Sequence, residues 1–230
     1  RGFHPRKRGS IPLGTAIKIM IDVCVIGYGY WGPNLCRNFS NSPHFNLKAI
    51  CDLKNLNLIK AKKDYPNAKI FKNFKKALEE NSFKLIVLAT PTSSHFKLAE
   101  VILKKSINIL VEKPLCTDIK QHLYLNKLAQ KNKVKIFVDF PFIYSGSIRY
   151  IENVINNKKF GNLKSVESYR EQAPIRTDTN VLWDLTIHDI SIISFLLRKD
   201  YFKISSVSRF NKSIKNYPKV LVNLTYDKKI

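Results

Sequence analysis

Acidic side chains are scarce in this chain. Its 230 residues hold 17 Asp and Glu against 40 Lys and Arg, a formal charge of +23. So basic a balance points to a polyanion partner when the charge is gathered on one face. Here lysines recur singly or in pairs from Lys48 to Lys229, mostly beside Asn and Ile. Charge scattered in this way belongs on solvated helix faces, so no specific nucleic-acid partner is expected. Cysteine is sparse too. Cys24, Cys36, Cys51 and Cys116 show neither CxxC spacing nor a dense framework, which argues against a disulfide scaffold or a zinc site. Cys24 and Cys51 fall inside apolar runs, where cysteine behaves as a small buried residue, and a reduced, cytoplasmic protein is expected. Long apolar runs are missing. Asp22, Asp184 and Asp189 interrupt the best candidates for the roughly 18 residues that a membrane span needs. Three sequons, at Asn38, Asn211 and Asn223, come without a secretory signal and are read as chance.

Methionine occurs once, at Met20, immediately before the first apolar run. The preceding residues are basic and acid-free. Gly2, Pro5, Gly9, Pro12 and Gly14 argue against the amphipathic helix of a transit peptide. Met20 is therefore expected to be the natural start, with residues 1–19 a disordered or non-native extension.

The chain is organised around Ile21 to Gly32, IDVCVIGYGYWG. An apolar strand passes into Gly27-Tyr28-Gly29-Tyr30-Trp31-Gly32 and then into a helix-compatible segment, Pro33 to Phe39. Gly27 permits the turn, Gly29 removes the Cβ where a phosphate would approach, and Gly32 allows close packing of helix on strand. The helix start then offers N–H groups and a positive dipole end to a pyrophosphate. A second apolar run, Phe45 to Ile50, leads to Asp52, which lies 20 residues beyond Gly32. An acid there receives the ribose hydroxyls of a dinucleotide and repels a 2′-phosphate, so NAD is expected before NADP.

Strand and helix patterns continue to alternate: a helix from Leu56 to Asp64, a strand from Ala68 to Phe71, and a helix capped by Asn73. The fully apolar run Leu85 to Ala89 precedes Thr90-Pro91, with Ser93 or Ser94 capping a helix from His95. A strand from Ile107 to Val111 precedes Glu112-Lys113-Pro114, Thr117 caps the next helix, and Val134 to Val138 leads to Asp139. The order predicts an α/β fold, a doubly wound parallel sheet with helices on both faces, over residues 20–140. From 141 to 230 the pattern changes to a helix from Ser147 to Asn156, an alternating strand from Leu163 to Arg170, a helix from Val181 to Leu197, and strands from Phe202 to Phe210 and Val220 to Tyr226. This predicts a partial second domain with a mostly antiparallel sheet. Its last strand looks as if it awaits a partner, so the chain is expected to be truncated.

Ligands of open parallel sheets bind at the carboxyl ends of the strands. There the glycine turn, Asp52, Thr90 to His95 and Glu112-Lys113 converge. Lys113, held between a buried strand and a proline, is suited to proton transfer or to a solvated cap. Asp184 and His188 are four residues apart, so a helix puts them on one face, where an Asp orients and supports a basic imidazole. A third ligand for a metal is not evident. Without these chemical readings, the same residues are a strand cap and a core histidine.

Taken together, the glycine turn, Thr90-Pro91 with His95, Glu112-Lys113-Pro114, and Asp184 through His188 resemble the glucose-fructose oxidoreductase, inositol dehydrogenase and rhizopine-catabolism family, Gfo/Idh/MocA, over about Ile21 to Tyr226. The resemblance implies a Rossmann domain followed by an open sheet. It implies hydride transfer between a nicotinamide cofactor and a hydroxyl-bearing carbon of a sugar, cyclitol or nucleotide-sugar, in a homo-oligomeric full-length protein. It also implies that Lys113, Asp184 and His188 are catalytic, that Glu112 and Lys113 approach the nicotinamide, and that Thr90, Pro91 and His95 flank the cofactor. Either His188 or Lys113 would be the base; His188 is preferred, with Asp184 steadying its imidazolium. Arg176 and Trp183, ahead of Asp184, are candidates for a substrate phosphate and a sugar face, or else a surface charge and a core aromatic. A non-catalytic NAD-binding sensor and an inactive fragment are the rival readings.

Overall fold

The computed structural model describes residues 20–170, 180–199, 203–208 and 219–226. Six parallel strands form the main sheet: β1 (Ile21–Ile26), β2 (Phe45–Cys51), β3 (Lys69–Phe71), β4 (Leu85–Leu88), β5 (Asn108–Glu112) and β6 (Ile136–Asp139), in spatial order β3-β2-β1-β4-β5-β6. The helices between them are α1 (Gly32–Asn41), α2 (Asn55–Asp64), α3 (Phe74–Glu80), α4 (Thr92–Lys104) and α5 (Ile119–Lys131). The order reverses between β1 and β4, the switch point at which such sheets open a crevice.

The unbroken apolar run of β1 follows from this layering. Val23 and Val25 pack with Leu35, Cys36 and Phe39 of α1 and Ala61 of α2. Cys24 and Ile26 pack on the opposite side with Ala77 of α3, Ala99, Ile102 and Leu103 of α4, and Leu125 of α5. Alternate side chains thus enter different cores, and both must be apolar. Fully burying one such Val, Leu or Ile contributes roughly 1.5–3 kcal/mol. Cys24 and Cys51 face each other across β1 and β2 with sulfurs 3.6 Å apart, and all four cysteines are free and buried.

Several boundaries differ from expectation. Helix α4 begins at Thr92 with Pro91 at its N-cap, and Ser94 Oγ lies 2.7 Å from Thr90 Oγ1 and 2.8 Å from Pro91 O instead of capping. Pro91 has no side-chain acceptor, so the first N–H groups of α4 receive no side-chain cap. Asp118, not Thr117, caps α5, its Oδ1 accepting from the N–H groups of Lys120 and Gln121 at 2.7 and 3.0 Å. The carboxylate sits at the positive dipole end. Asn73 caps α3 as expected.

After β6 come a 3-10 turn (Pro141–Tyr144), α6 (Gly146–Asn156), a π turn (Leu182–Thr186) that runs into α7 (Ile187–Leu197), and an antiparallel pair, β7 (Lys203–Ser208) and β8 (Val220–Thr225). The expected strand from Leu163 to Arg170 is not formed: residues 162–170 pair with no strand among the described residues. Alternation gives a segment strand propensity, but the partners that it meets decide whether a ladder forms. Arg170 instead reaches Asp189 of α7. Among the described residues no helix is long and apolar enough to cross a membrane.

Candidate active site

The carboxyl ends of β1, β2, β4, β5 and β6 share one edge of the sheet because all six strands are parallel. At β1 the chain turns at Gly27, with φ +98°, where a Cβ would lie 2.4 Å from Ala89 O. A Cβ on Gly32 would lie 2.1 Å from Gly27 O, so neither glycine admits a side chain. Around Gly29 there is open space, as an approaching phosphate requires. Helix α1 then starts with no side-chain cap and no acid in its first turn, which leaves its N–H end to an anion.

Asp52 is built into this turn. Its Oδ2 accepts from the Tyr28 N–H at 2.7 Å and from Asn57 Nδ2 at 3.0 Å, and its Oδ1 accepts from the Lys54 N–H at 2.7 Å. A carboxylate offers about four acceptor sites, so capacity remains for a hydroxyl. The Tyr28 side chain faces the core: its hydroxyl donates to Asp64 Oδ2 at 2.7 Å, and burial with that carboxylate drives its pKa strongly upward. Only the backbone of Tyr28 faces the crevice side of the turn. Tyr30 and Trp31 are exposed, with rings edge to face at 5.5 Å.

His95, expected to flank the cofactor, lies between the β4 and β5 loops. It is 1% exposed, and Nδ1 and Nε2 lie 2.8 Å from the carbonyl oxygens of Pro114 and Thr90. Both ring nitrogens are occupied in tying the β4 loop to the β5 loop. The histidine thereby helps to set the positions of Thr90, Pro91 and the residues before Pro114.

Lys113 and the π turn meet across the crevice. The lysine Nζ donates to Asp184 O at 2.6 Å and to Asp184 Oδ1 at 2.9 Å, and both side chains are nearly buried. An ammonium has three N–H groups, so one is left for a further acceptor. His188, four residues after Asp184, is 9% exposed, and its Nδ1 is buried without a partner. Asp184 Oδ1 takes Lys113 and His188 Nδ1 has no hydrogen-bond partner, so Asp184 acts on the imidazole through its charge and not through a bond to Nδ1. The reason is local. Asp184 lies in the π turn, whose wider ring offsets it from the simple one-turn register of an α-helix. Burial, and then the charges of Lys113 and Arg170, push the His188 pKa down to about 4, so the imidazole is neutral at pH 7 and free to accept a proton.

Three contributors were not singled out by sequence reasoning. Asp139 stands beside Glu112 in the β5–β6 register, and burial together with Asp139 raises Glu112 to about 7. Phe142 lies edge to face with His188 at 5.0 Å, and Arg170 covers the Phe142 ring at 4.7 Å. An acid ending the last parallel strand was the available signal for Asp139. Nothing local marks Phe142 or Arg170. Trp183 is half-buried beside Asp184, and Arg176 lies outside the described residues. No group of three or more His, Cys, Asp or Glu forms a metal site among the described residues.

Residues 21–140 match the family model of the Gfo/Idh/MocA type, described as an oxidoreductase family with an NAD-binding Rossmann fold. Among curated proteins the chain is 20% identical to the uncharacterized oxidoreductase YrbE of Bacillus subtilis, over 78% of this chain and 54% of that protein. It is 29% identical to the UDP-N-acetylglucosamine 3-dehydrogenase of Acidithiobacillus ferrooxidans, over 48% of this chain and 35% of that one. The chain spans about half the length of the curated relatives it matches. Its fold is that of GenD2 from gentamicin A biosynthesis, solved in complex with NAD, with a TM-score of 0.82 at 19% identity over 95% of this chain and 66% of that one.

Proposed function

Because the chain belongs to the Gfo/Idh/MocA oxidoreductases, a family with an NAD-binding Rossmann fold, we propose that it serves hydride transfer between NAD and a hydroxyl-bearing carbon of a sugar, cyclitol or nucleotide-sugar. The observation that carries this reading is the meeting of Lys113 with Asp184, four residues before a neutral, buried His188. In this division of labour residues 20–140 hold the nucleotide and residues 141–230 bring the imidazole and the substrate side.

The residues present fit the dinucleotide. Gly29 leaves room for the pyrophosphate, the uncapped start of α1 supplies N–H groups, and the spare acceptor capacity of Asp52 suits ribose hydroxyls and disfavours a 2′-phosphate. Thr90 and Pro91 border the same crevice. When bound, NAD⁺ supplies the hydride acceptor. The remaining N–H of Lys113 polarises the substrate hydroxyl oxygen, and His188 takes the hydroxyl proton as the carbon loses its hydride. Asp184 fixes the ammonium in place and offsets its charge. Glu112, half protonated near neutral pH, sits next to Lys113 as a second proton reservoir. The exposed β7–β8 sheet is the surface on which copies of the full-length protein would associate.

Titration with NAD and NADP, followed by a panel of sugars, cyclitols and nucleotide-sugars read by NADH absorbance, tests the reading. Tighter NAD binding and turnover with at least one member are expected. NAD binding with no turnover across the panel would favour a sensor, and no dinucleotide binding would end the proposal.

A further inference from the structure

Segment 162–170 forms no strand, yet its end is held firmly. Arg170 Nε lies 3.2 and 3.1 Å from Asp189 Oδ1 and Oδ2, and Nη2 lies 3.0 Å from Oδ1. Ser168 Oγ donates to the same Oδ1 at 2.8 Å. The guanidinium also stacks on Phe142, whose ring meets His188. Asp189 follows His188 directly on α7, so the clamp and the imidazole share one rigid element. A planar fork that both chelates a carboxylate and covers an aromatic ring is a task for arginine, not lysine.

We propose that Arg170 is a positioning residue for His188: clamped on Asp189 and stacked on Phe142, its guanidinium keeps the imidazole seated at the crevice. The inference rests on His188 being the proton acceptor of the reaction proposed above. The charged groups facing His188 are Lys113 from the end of β5, Asp184 and Asp189 from its own helical segment, and Arg170. Helix α6 contributes Arg149 and Glu152 to an ion-pair network with Arg198, at the other end of α7. Strand β8, which packs on the π turn, carries no titratable side chain. The two cations oppose protonation and the two carboxylates favour it, so removing Arg170 tips the balance toward the imidazolium.

The test follows the ring signals of His188 by NMR against pH in the histidine-labelled chain, with His188→Gln for assignment. Arg170→Gln should raise the midpoint by about one pH unit, a tenfold gain in proton affinity. Arg170→Lys, which keeps the charge but loses the fork and the stack, should raise it by less. The acid limb of kcat/KM should move with the midpoint. A folded Arg170→Gln chain with an unmoved midpoint would overturn the proposal; should that variant fail to fold, an unmoved midpoint in Arg170→Lys would do so. Turnover with an unmoved midpoint removes the role of Arg170 alone, whereas a shifted midpoint without turnover on any substrate removes the proton-acceptor reading beneath it.

Discussion

From Ile21 to Asp139 the buried residues are mostly aliphatic and lie in two layers around a sheet. Beyond residue 140 the buried residues among those described are Glu152, Asp184, His188 and Leu196. Three of these four are titratable. The first region is held by apolar area. The second carries polar clamps: Lys113 with Asp184, Arg170 with Asp189, and Glu152 with Arg149 and Arg198. Apolar area is forgiving of register and tolerant of volume-conserving change. A buried ion pair is directional, and removing one partner costs more than the pair contributed. The contrast separates a region with an aliphatic core from one that buries ionisable groups.

The sharpest way to break this contrast is at its joint. His188→Ala should lower turnover by about 10²- to 10⁴-fold, the usual value of a positioned proton acceptor, and cost less stability than the loss of a buried ion-pair partner. Lys113→Ala should lower turnover by a similar factor and also destabilise the second region by about 3 kcal/mol, because a buried carboxylate loses its ammonium. Steady-state kinetics with NADH absorbance, together with urea unfolding, separates the two. Equal stability losses in both variants would mean that the clamps are not what holds the second region.

Within each region taken alone, the contrast predicts opposite sensitivities. Ile86 of β4 is 0% exposed, and Ile86→Ala should cost about 2–5 kcal/mol in urea unfolding through lost transfer energy and a residual cavity. Leu221 of β8 is 60% exposed, and Leu221→Ala should change stability by less than about 0.5 kcal/mol. A large loss at Leu221 would reveal cover on the β7–β8 sheet.

The same contrast explains what the sequence made legible. Apolar runs flanked by glycine and proline mark parallel strands reliably, because both faces of such strands must be apolar, and β1, β2, β4 and β5 were readable almost to the residue. The glycine turn was readable because it depends on missing atoms. Lys113, Asp184 and His188 were legible as a set through resemblance. Their mutual geometry was not, since the π turn at Leu182–Thr186 leaves no mark in the residue pattern and redirects Asp184 to Lys113. Arg170 was illegible for a related reason: alternation from Leu163 onward reads as a strand, and only a contact 19 residues away shows its end to be a clamp. The place of His95 beside the cofactor came through the resemblance, and no residue pattern shows that its ring bridges two carbonyls.

The subtlest sharpening uses pH, because each region holds a titratable group displaced in a different direction. His188 moves from an ordinary 6.5 down to about 4, so folding resists its protonation. Between those values the unfolded chain binds the proton and the native chain does not, so this group's contribution to stability is complete above pH 6.5 and is lost as pH falls toward 4. Glu112 moves from 4.5 up to about 7, so the native chain holds its proton longer; its contribution is complete below pH 4.5 and is lost as pH rises toward 7. Each displacement amounts to at most about 3 kcal/mol. From about pH 4.5 to 6.5 the two slopes oppose each other. Relative to the unsubstituted chain, Glu112→Gln should therefore make stability climb more steeply with pH across this window, and His188→Gln should make it fall, by up to about 1.4 kcal/mol per pH unit in each case. Urea unfolding in buffers across the window measures both differences directly. Parallel curves for all three chains would show that neither region pays a price for its buried proton site.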